Sequence, residues 1–217
     1  MTLDAGDAAA GRPSFVTVPP TALHCGEEWP QRAKQGVESI DEVPSRKPSA
    51  VLVPVFRDRE AELRLVLVVR GSQGLHGGQL GLPGGAAEAH DRSLLDTALR
   101  ETEEEIGLRR RDVAILAALD PIDSRTSGFR VHPFLARVPP QPEWQGPSGE
   151  ITGVVTPAVR ALSDPARRRE QRMSFSTWPE DRIVECVEVT GGHLLWGLTL
   201  RILDPVLPRL LAGEWAI

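Results

Sequence analysis

The chain has 217 residues, 41% hydrophobic, 25% charged and 5% aromatic, enough for one domain with a full core and too few for two large ones. Acidic residues outnumber basic ones by 30 to 25, a net charge of −5, which excludes a broad electrostatic grip on nucleic acid. No window approaches about 18 uninterrupted apolar residues, which excludes a membrane-spanning helix, and two cysteines, Cys25 and Cys186, cannot make a disulfide framework or a four-thiolate zinc site.

Residues 1–48 are rich in Ala, Gly and Pro and show no sustained period. They read as an arm or partly disordered leader, with Phe15, Val16, Val18 and Trp29 available to pack on the body. The opening stretch has acidic residues and no apolar core, so no secretory signal is expected and the cytosol is the simplest compartment. Residues 49–217 read as a single α/β domain with a C-terminal helical segment. Ala50 to Phe56 forms a buried strand, Arg57 to Glu62 a polar turn, and Leu63 to Arg70 a second strand. The Gly-dense stretch from Gly71 to Gly85 fits neither period and is expected to be loop with short extended pieces.

A helix follows, opened by Ser93 with Asp96 three residues on, the spacing of a capping box. Leu94, Leu95, Ala98, Leu99, Thr102 and Ile106 recur at helical spacing, and Gly107 stops it. Val113 to Leu119, Arg130 to Val138 and Ile151 to Thr156 predict further strands, and Cys186 lies in another as a small core residue. The tail, Gly192 to Leu211, is expected to be mostly helical, interrupted near Pro205 and Pro208.

The chemistry is concentrated between Pro83 and Leu108. Glu101, Glu104 and Glu105 fall within an arc of roughly 100° on the helix, with Leu95, Leu99 and Ile106 opposite. Three carboxylates at this spacing repel one another, and they sit near the helix C-terminus, where the dipole disfavours negative charge. A divalent cation would neutralise them, and hard oxygen ligands select Mg²⁺ or Mn²⁺. Taken alone, the run is also the pattern of a solvated acidic face. Pro83-Gly84-Gly85 just upstream adds a tight turn that brings backbone close to an oxyanion.

This segment resembles the Nudix hydrolase pattern G-x5-E-x7-R-E-U-x-E-E-x-G-U, with U aliphatic. Gly85 stands at the opening glycine, Asp91 at the first acid, and Arg100, Glu101, Glu104, Glu105, Gly107 and Leu108 at the rest. Asp91 replaces Glu, Thr102 replaces an aliphatic residue, and the Asp91–Arg100 interval is one residue long. The same lengthening is found in the coenzyme A pyrophosphatase branch, which the chain also resembles at His76, Gly78 and Leu82 to Gly85. Two more segments are similar to that branch: Ser127 to Pro133 and His193 to Thr199. The second Arg of the branch's upstream element is absent, with Gly74 in its place, and Leu82 replaces Phe.

The resemblance implies an α/β/α sandwich with a mixed central sheet. It implies hydrolysis of a diphosphate linkage in a small nucleoside diphosphate derivative, most specifically coenzyme A or an acyl derivative. Alternatives are ADP-ribose, dinucleoside polyphosphates or nucleoside triphosphates, or a Nudix-fold sensor without turnover. Glu101, Glu104 and Glu105 would hold Mg²⁺ or Mn²⁺, with the backbone at Gly85 completing the shell. Arg100 would orient a catalytic Glu through a bidentate pair. Arg70, His76 and Gly84 are candidates for substrate contact, with His76 alternatively a hydrogen-bonding residue of the turn. Glu104 and Glu150 are the candidate general bases, and Glu150 reads more readily as a solvated loop acid. Arg167 to Arg169 reads as a solvated basic run or as a contact for the 3′-phosphate of coenzyme A. His132, His193 and Trp196 read as structural.

Overall fold

The computed structural model describes the backbone of residues 16–17 and 23–24, together with residues 46–71, 78–124, 127–141, 144, 151–174 and 180–217. In chain order the elements are β1 (Val16–Thr17), β2 (Leu23–His24), β3 (Lys47–Arg57), β4 (Leu63–Leu65), β5 (Leu67–Arg70), β6 (Leu80–Gly81) and β7 (Gly84–Ala86). Helix α1 (Leu94–Ile106) then leads to β8 (Ala114–Ala118), β9 (Ile122–Asp123), β10 (Phe129–Arg137) and β11 (Ile151–Val155). The chain ends with α2 (Val159–Leu162), β12 (Arg168–Met173), β13 (Arg182–Val189), β14 (His193–Trp196), α3 (Gly197–Leu203) and α4 (Leu207–Leu211).

The largest sheet runs β1-β8-β10-β3-β4, with β2 also on β8, β7 on β3 and β9 on β10. β10 and β3 are parallel from Phe129↔Lys47 to Arg137↔Val55, whereas β8 and β4 pair antiparallel to them. The sheet is therefore mixed, as expected. β3 is buried on both faces, which accounts for its nearly unbroken apolar run. Ala50 and Leu52 join Leu94, Ala98, Leu99 and Ile106 of α1 in one core. Val51, Val53 and Val55 join Val159, Leu200, Leu203, Leu207 and Leu210 of α2 to α4 in the other. Helices on both faces of one mixed sheet make the α/β/α arrangement. Each fully buried Leu or Ile contributes about 1.5–3 kcal/mol relative to exposure.

Two expectations need correction. Leu63 to Arg70 is not one strand: the chain changes partners at Val66, whose N–H donates to Pro54 O at 2.9 Å. Before it β4 pairs with β3, and after it β5 pairs with β11 and β6. From Leu65 to Val69 the run is apolar at every position and carries no period to reveal such a switch. The tail is not helical from its start, because His193–Trp196 pairs with β13 from Val189↔His193 to Cys186↔Trp196. Pro205 does fall between α3 and α4, but Pro208 lies within the first turn of α4, where its missing N–H costs nothing. Among the described residues no helix is long and apolar enough to cross a membrane.

Candidate active site

α1 is fixed at both ends by local chemistry. Ser93 caps it, its Oγ accepting from the Asp96 N–H at 3.1 Å. The Asp96 carboxylate accepts from the Arg92 N–H at 3.1 Å, one residue beyond the cap that a standard capping box would reach, and also pairs with Arg110. Gly107, at φ 69°, ends the helix and donates its N–H to Glu103 O. Thr102 is buried at the expected aliphatic position because its Oγ1 donates to Ala98 O at 2.6 Å, satisfying the hydroxyl within the helix.

Between those ends the three carboxylates have different surroundings. The Glu104 side chain is 60% exposed and that of Glu101 19%. Glu105 is buried, and its Oε2 accepts the Gly84 N–H at 3.0 Å. That bond ties the helix to β7, which pairs with β3 through Val51↔Gly84 and Ala50↔Gly85. At both glycines a Cβ would collide with a neighbour. A Cβ at Gly84, where φ is 144°, would lie 2.3 Å from Ala50 O. A Cβ at Gly85 would lie 2.5 Å from the Glu101 carboxyl. Gly84 lets β7 lie close against β3, and Gly85 lets the Glu101 carboxylate close on the β7 backbone.

Arg100 binds the acidic side chains together. Its Nε donates to Asp91 Oδ1 at 2.9 Å and its Nη2 to Asp91 Oδ2 at 3.0 Å. Nη1 donates to Glu101 Oε1 at 3.0 Å and Glu104 Oε2 at 3.2 Å. Nη2 also reaches Ala86 O at 3.3 Å. The bidentate partner is therefore Asp91 rather than a catalytic Glu. Asp91 is buried and also accepts from the Glu88 N–H and the Thr97 hydroxyl, each at 2.9 Å. Burial pushes its carboxyl up, but the Arg100 bond and these two donors outweigh that and hold it well below the usual carboxylate range. Burial pushes the Glu101 carboxyl above its ordinary value, against the opposing pull of Arg100. Sequence reasoning placed Asp91 in the pattern but missed it and Thr97 as Arg100's anchor. An acid just ahead of a capped helix, nine residues before an Arg, was the available signal.

Arg100 also decides what the face can hold as it stands. Among the described residues no three His, Cys, Asp or Glu side chains are grouped to hold a metal ion. A guanidinium nitrogen lies between Glu101 and Glu104 where a cation would otherwise supply the countercharge. The donor set still fits a hard divalent ion: carboxylate oxygens on one helix face against a backbone with no Cβ.

Arg70 lies at the end of β5, half-buried, with its Nε 3.0 Å from where a Cβ on Gly81 would stand. Its backbone closes the Gly-rich loop, accepting from the Gly78 N–H and donating to Gln79 O. His76 and Glu150 lie outside the described residues. His132 is buried in β10. Arg168 pairs with Glu185 at 2.8 Å and with Asp204, and Arg169 with Glu188 at 3.5 Å, so two of the three arginines of that run are neutralised locally.

A family model described as the NUDIX domain matches residues 46–177, more than half of the chain. The uncharacterized Nudix hydrolase NudL of Pectobacterium atrosepticum is 30% identical over 196 residues, covering 86% of this chain and 94% of that protein. The protein of the same name from Salmonella paratyphi B is 32% identical over 167 residues, covering 73% and 80%. Among solved structures, the Nudix hydrolase RenU of M. smegmatis matches with a TM-score of 0.54 at 14% identity, covering 79% of this chain and 89% of that one. A MutT/nudix family protein from Enterococcus faecalis matches with a TM-score of 0.53 at 18% identity, over 79% and 64%. At those identities the structural likeness is one of fold.

Proposed function

The chain belongs to the Nudix hydrolase family of pyrophosphohydrolases, and from that premise we propose that its substrate is coenzyme A or an acyl derivative. The bond cut is the diphosphate linkage, and the products are adenosine 3′,5′-bisphosphate and a 4′-phosphopantetheine. One observation carries this reading beyond the family. The Thr199 hydroxyl donates to Leu80 O at 3.3 Å, docking the His193–Thr199 segment on the strand that leads into Pro83-Gly84-Gly85. The Ser127–Pro133 segment enters the same neighbourhood through β10, where His132 stands opposite Ala50, itself opposite Gly85. Two stretches that separately resemble the coenzyme A branch therefore approach the third, the backbone that leads into Gly85.

Glu101, Glu104 and Glu105, with the backbone at Gly85, are the groups that would hold Mg²⁺ or Mn²⁺. When bound, such an ion supplies charge withdrawal from the bridging phosphates and acidifies water. Asp91 keeps Arg100 in place, and Arg100 fixes Glu101 and Glu104 relative to each other. Glu105 holds the Gly84 turn against the helix. Glu104, the most exposed of the three carboxylates, would take a proton from solvent water, with Glu150 the other candidate base. Arg70, at the mouth of the Gly-rich loop, carries a charge suited to a substrate phosphate.

The test is a comparison of kcat/KM for coenzyme A, ADP-ribose, diadenosine polyphosphates and nucleoside triphosphates with the same Mg²⁺ and Mn²⁺. Coenzyme A or an acyl derivative is expected among the best substrates. Efficient cleavage of another diphosphate with coenzyme A left intact refutes the substrate and leaves the family unaffected.

A further inference from the structure

Three arginines from distant parts of the chain meet at Asp123, beside the start of β10: two at its carboxylate and one at its backbone carbonyl. Arg130 Nη1 stands 3.6 Å from Asp123 Oδ1, and Arg46 Nε stands 3.5 Å from Asp123 Oδ2. Arg46 Nη1 donates to Ser124 O at 2.8 Å, and Arg201 Nη1, from α3, donates to Asp123 O at 3.3 Å. Neither ion pair reaches good hydrogen-bond length, so the Asp123 carboxylate is shared loosely between two guanidinium groups, with a third, from Arg201, at its backbone carbonyl. The Nε of Arg130 is buried with no hydrogen-bond partner. Buried donors of that kind ordinarily find an acceptor. In a chain of net charge −5, this is a local excess of positive charge that includes an unused donor.

Its position relative to the carboxylates of α1 follows from strand register. Gly85 lies opposite Ala50 and Ala50 opposite His132, while Arg130 lies opposite Pro48, two residues back along β10. A side chain at Gly85 would point at Glu101, so this row faces α1, and Arg130 springs from the same face by alternation. Two strand spacings across and two residues along place the Arg130 Cα roughly 12 Å from that of Gly85. An extended Arg side chain spans much of that interval.

We propose that Arg46, Arg130 and Arg201 form a subsite for a terminal phosphate monoester carried by the substrate in addition to its diphosphate. This rests on the diphosphate reading above and names the group that selects within it: in coenzyme A, the 3′-phosphate on the adenosine. A phosphate monoester carries about −1.5 to −2 charges near neutrality and three strong acceptor oxygens. It matches both the excess charge and the idle Arg130 donor, and planar guanidinium groups suit it better than ammonium. ADP-ribose lacks such a group and leaves the cluster unused.

Two measurements on the full chain test this, with wild type, Arg130→Gln and Arg201→Gln compared. Calorimetric titration with adenosine 3′,5′-bisphosphate and with AMP reads the subsite without turnover. The kcat/KM for coenzyme A and for 3′-dephospho-coenzyme A reads it in catalysis. Arg201→Gln changes an exposed side chain, so the test survives if Arg130→Gln misfolds. Each variant is expected to lose about ten- to a hundredfold on the 3′-phosphorylated ligand and less than about threefold on its partner. Equal loss on both members of a pair, loss on neither, or binding of neither mononucleotide overturns the subsite. Arg-dependent preference for the bisphosphate without any cleavage of coenzyme A upholds the subsite and removes the substrate reading instead.

Discussion

Arg100 and Asp91 are joined edge to edge, Nε to Oδ1 at 2.9 Å and Nη2 to Oδ2 at 3.0 Å, although they lie on opposite sides of the helix start. With that edge occupied, the remaining nitrogen of Arg100 serves Glu101 and Glu104. The chain thus carries its own countercharge for a face that would otherwise repel itself. Replacing Glu by the shorter Asp and lengthening the interval by one residue are compatible with this pair, since Nε meets Oδ1 and Nη2 meets Oδ2.

The buried end of that pair makes stability depend on pH. The Asp91 carboxyl is held well below its ordinary value. A group of this kind stabilises the fold above its unfolded pKa, about 3.9, and the contribution is lost as pH falls toward the folded value. Asp91→Asn is expected to cost about 2 kcal/mol at neutral pH in urea denaturation. The difference from wild type should shrink below about pH 4. A gap that stays constant down to about pH 3 contradicts the assignment.

Gly84 and Gly85 should respond differently to alanine. At Gly84 the new Cβ meets backbone at a φ that L residues rarely adopt, and nothing nearby yields. Gly84→Ala should lose about 3 kcal/mol or more, seen as a large fall in Tm. At Gly85 the obstacle is the end of the Glu101 side chain, which is free to rotate aside. Gly85→Ala should fold nearly as well as wild type and lose activity, because Glu101 is displaced. Melting curves and turnover measured on both variants give the comparison. Equal loss of stability in the two variants contradicts it.

Glu104 is largely exposed and, among the described residues, its ion pair is with Arg100, so its charge matters little to folding. Glu104→Gln should change stability by no more than about 0.5 kcal/mol. Turnover with saturating Mg²⁺ should fall by roughly a hundredfold or more, since the variant removes one charge with little change of shape. Full metal-dependent activity in Glu104→Gln rules out its proposed role.

The sequence made the helix legible because its signals are local: a cap at Ser93, a period through Leu94, Leu99 and Ile106, and a stop at Gly107. The strand β3 was legible for the same reason, its apolar run being buried on both faces. The partner change at Val66 and the strand His193–Trp196 were not, because both are decided by which distant strand is adjacent. Within the site, the residue types and their arc were readable, but not the burial of Glu105 or the Asp91 anchor. Those depend on where β7 and the helix start come to rest, which no local period records.

The most direct test of the site is anomalous diffraction from crystals soaked in Mn²⁺. A peak within coordinating distance of Glu101, Glu104 and Glu105, on the side facing Gly85, with Arg100 still paired to Asp91, is the predicted result. A peak elsewhere on the molecule, or none beside these carboxylates at saturating Mn²⁺, contradicts it.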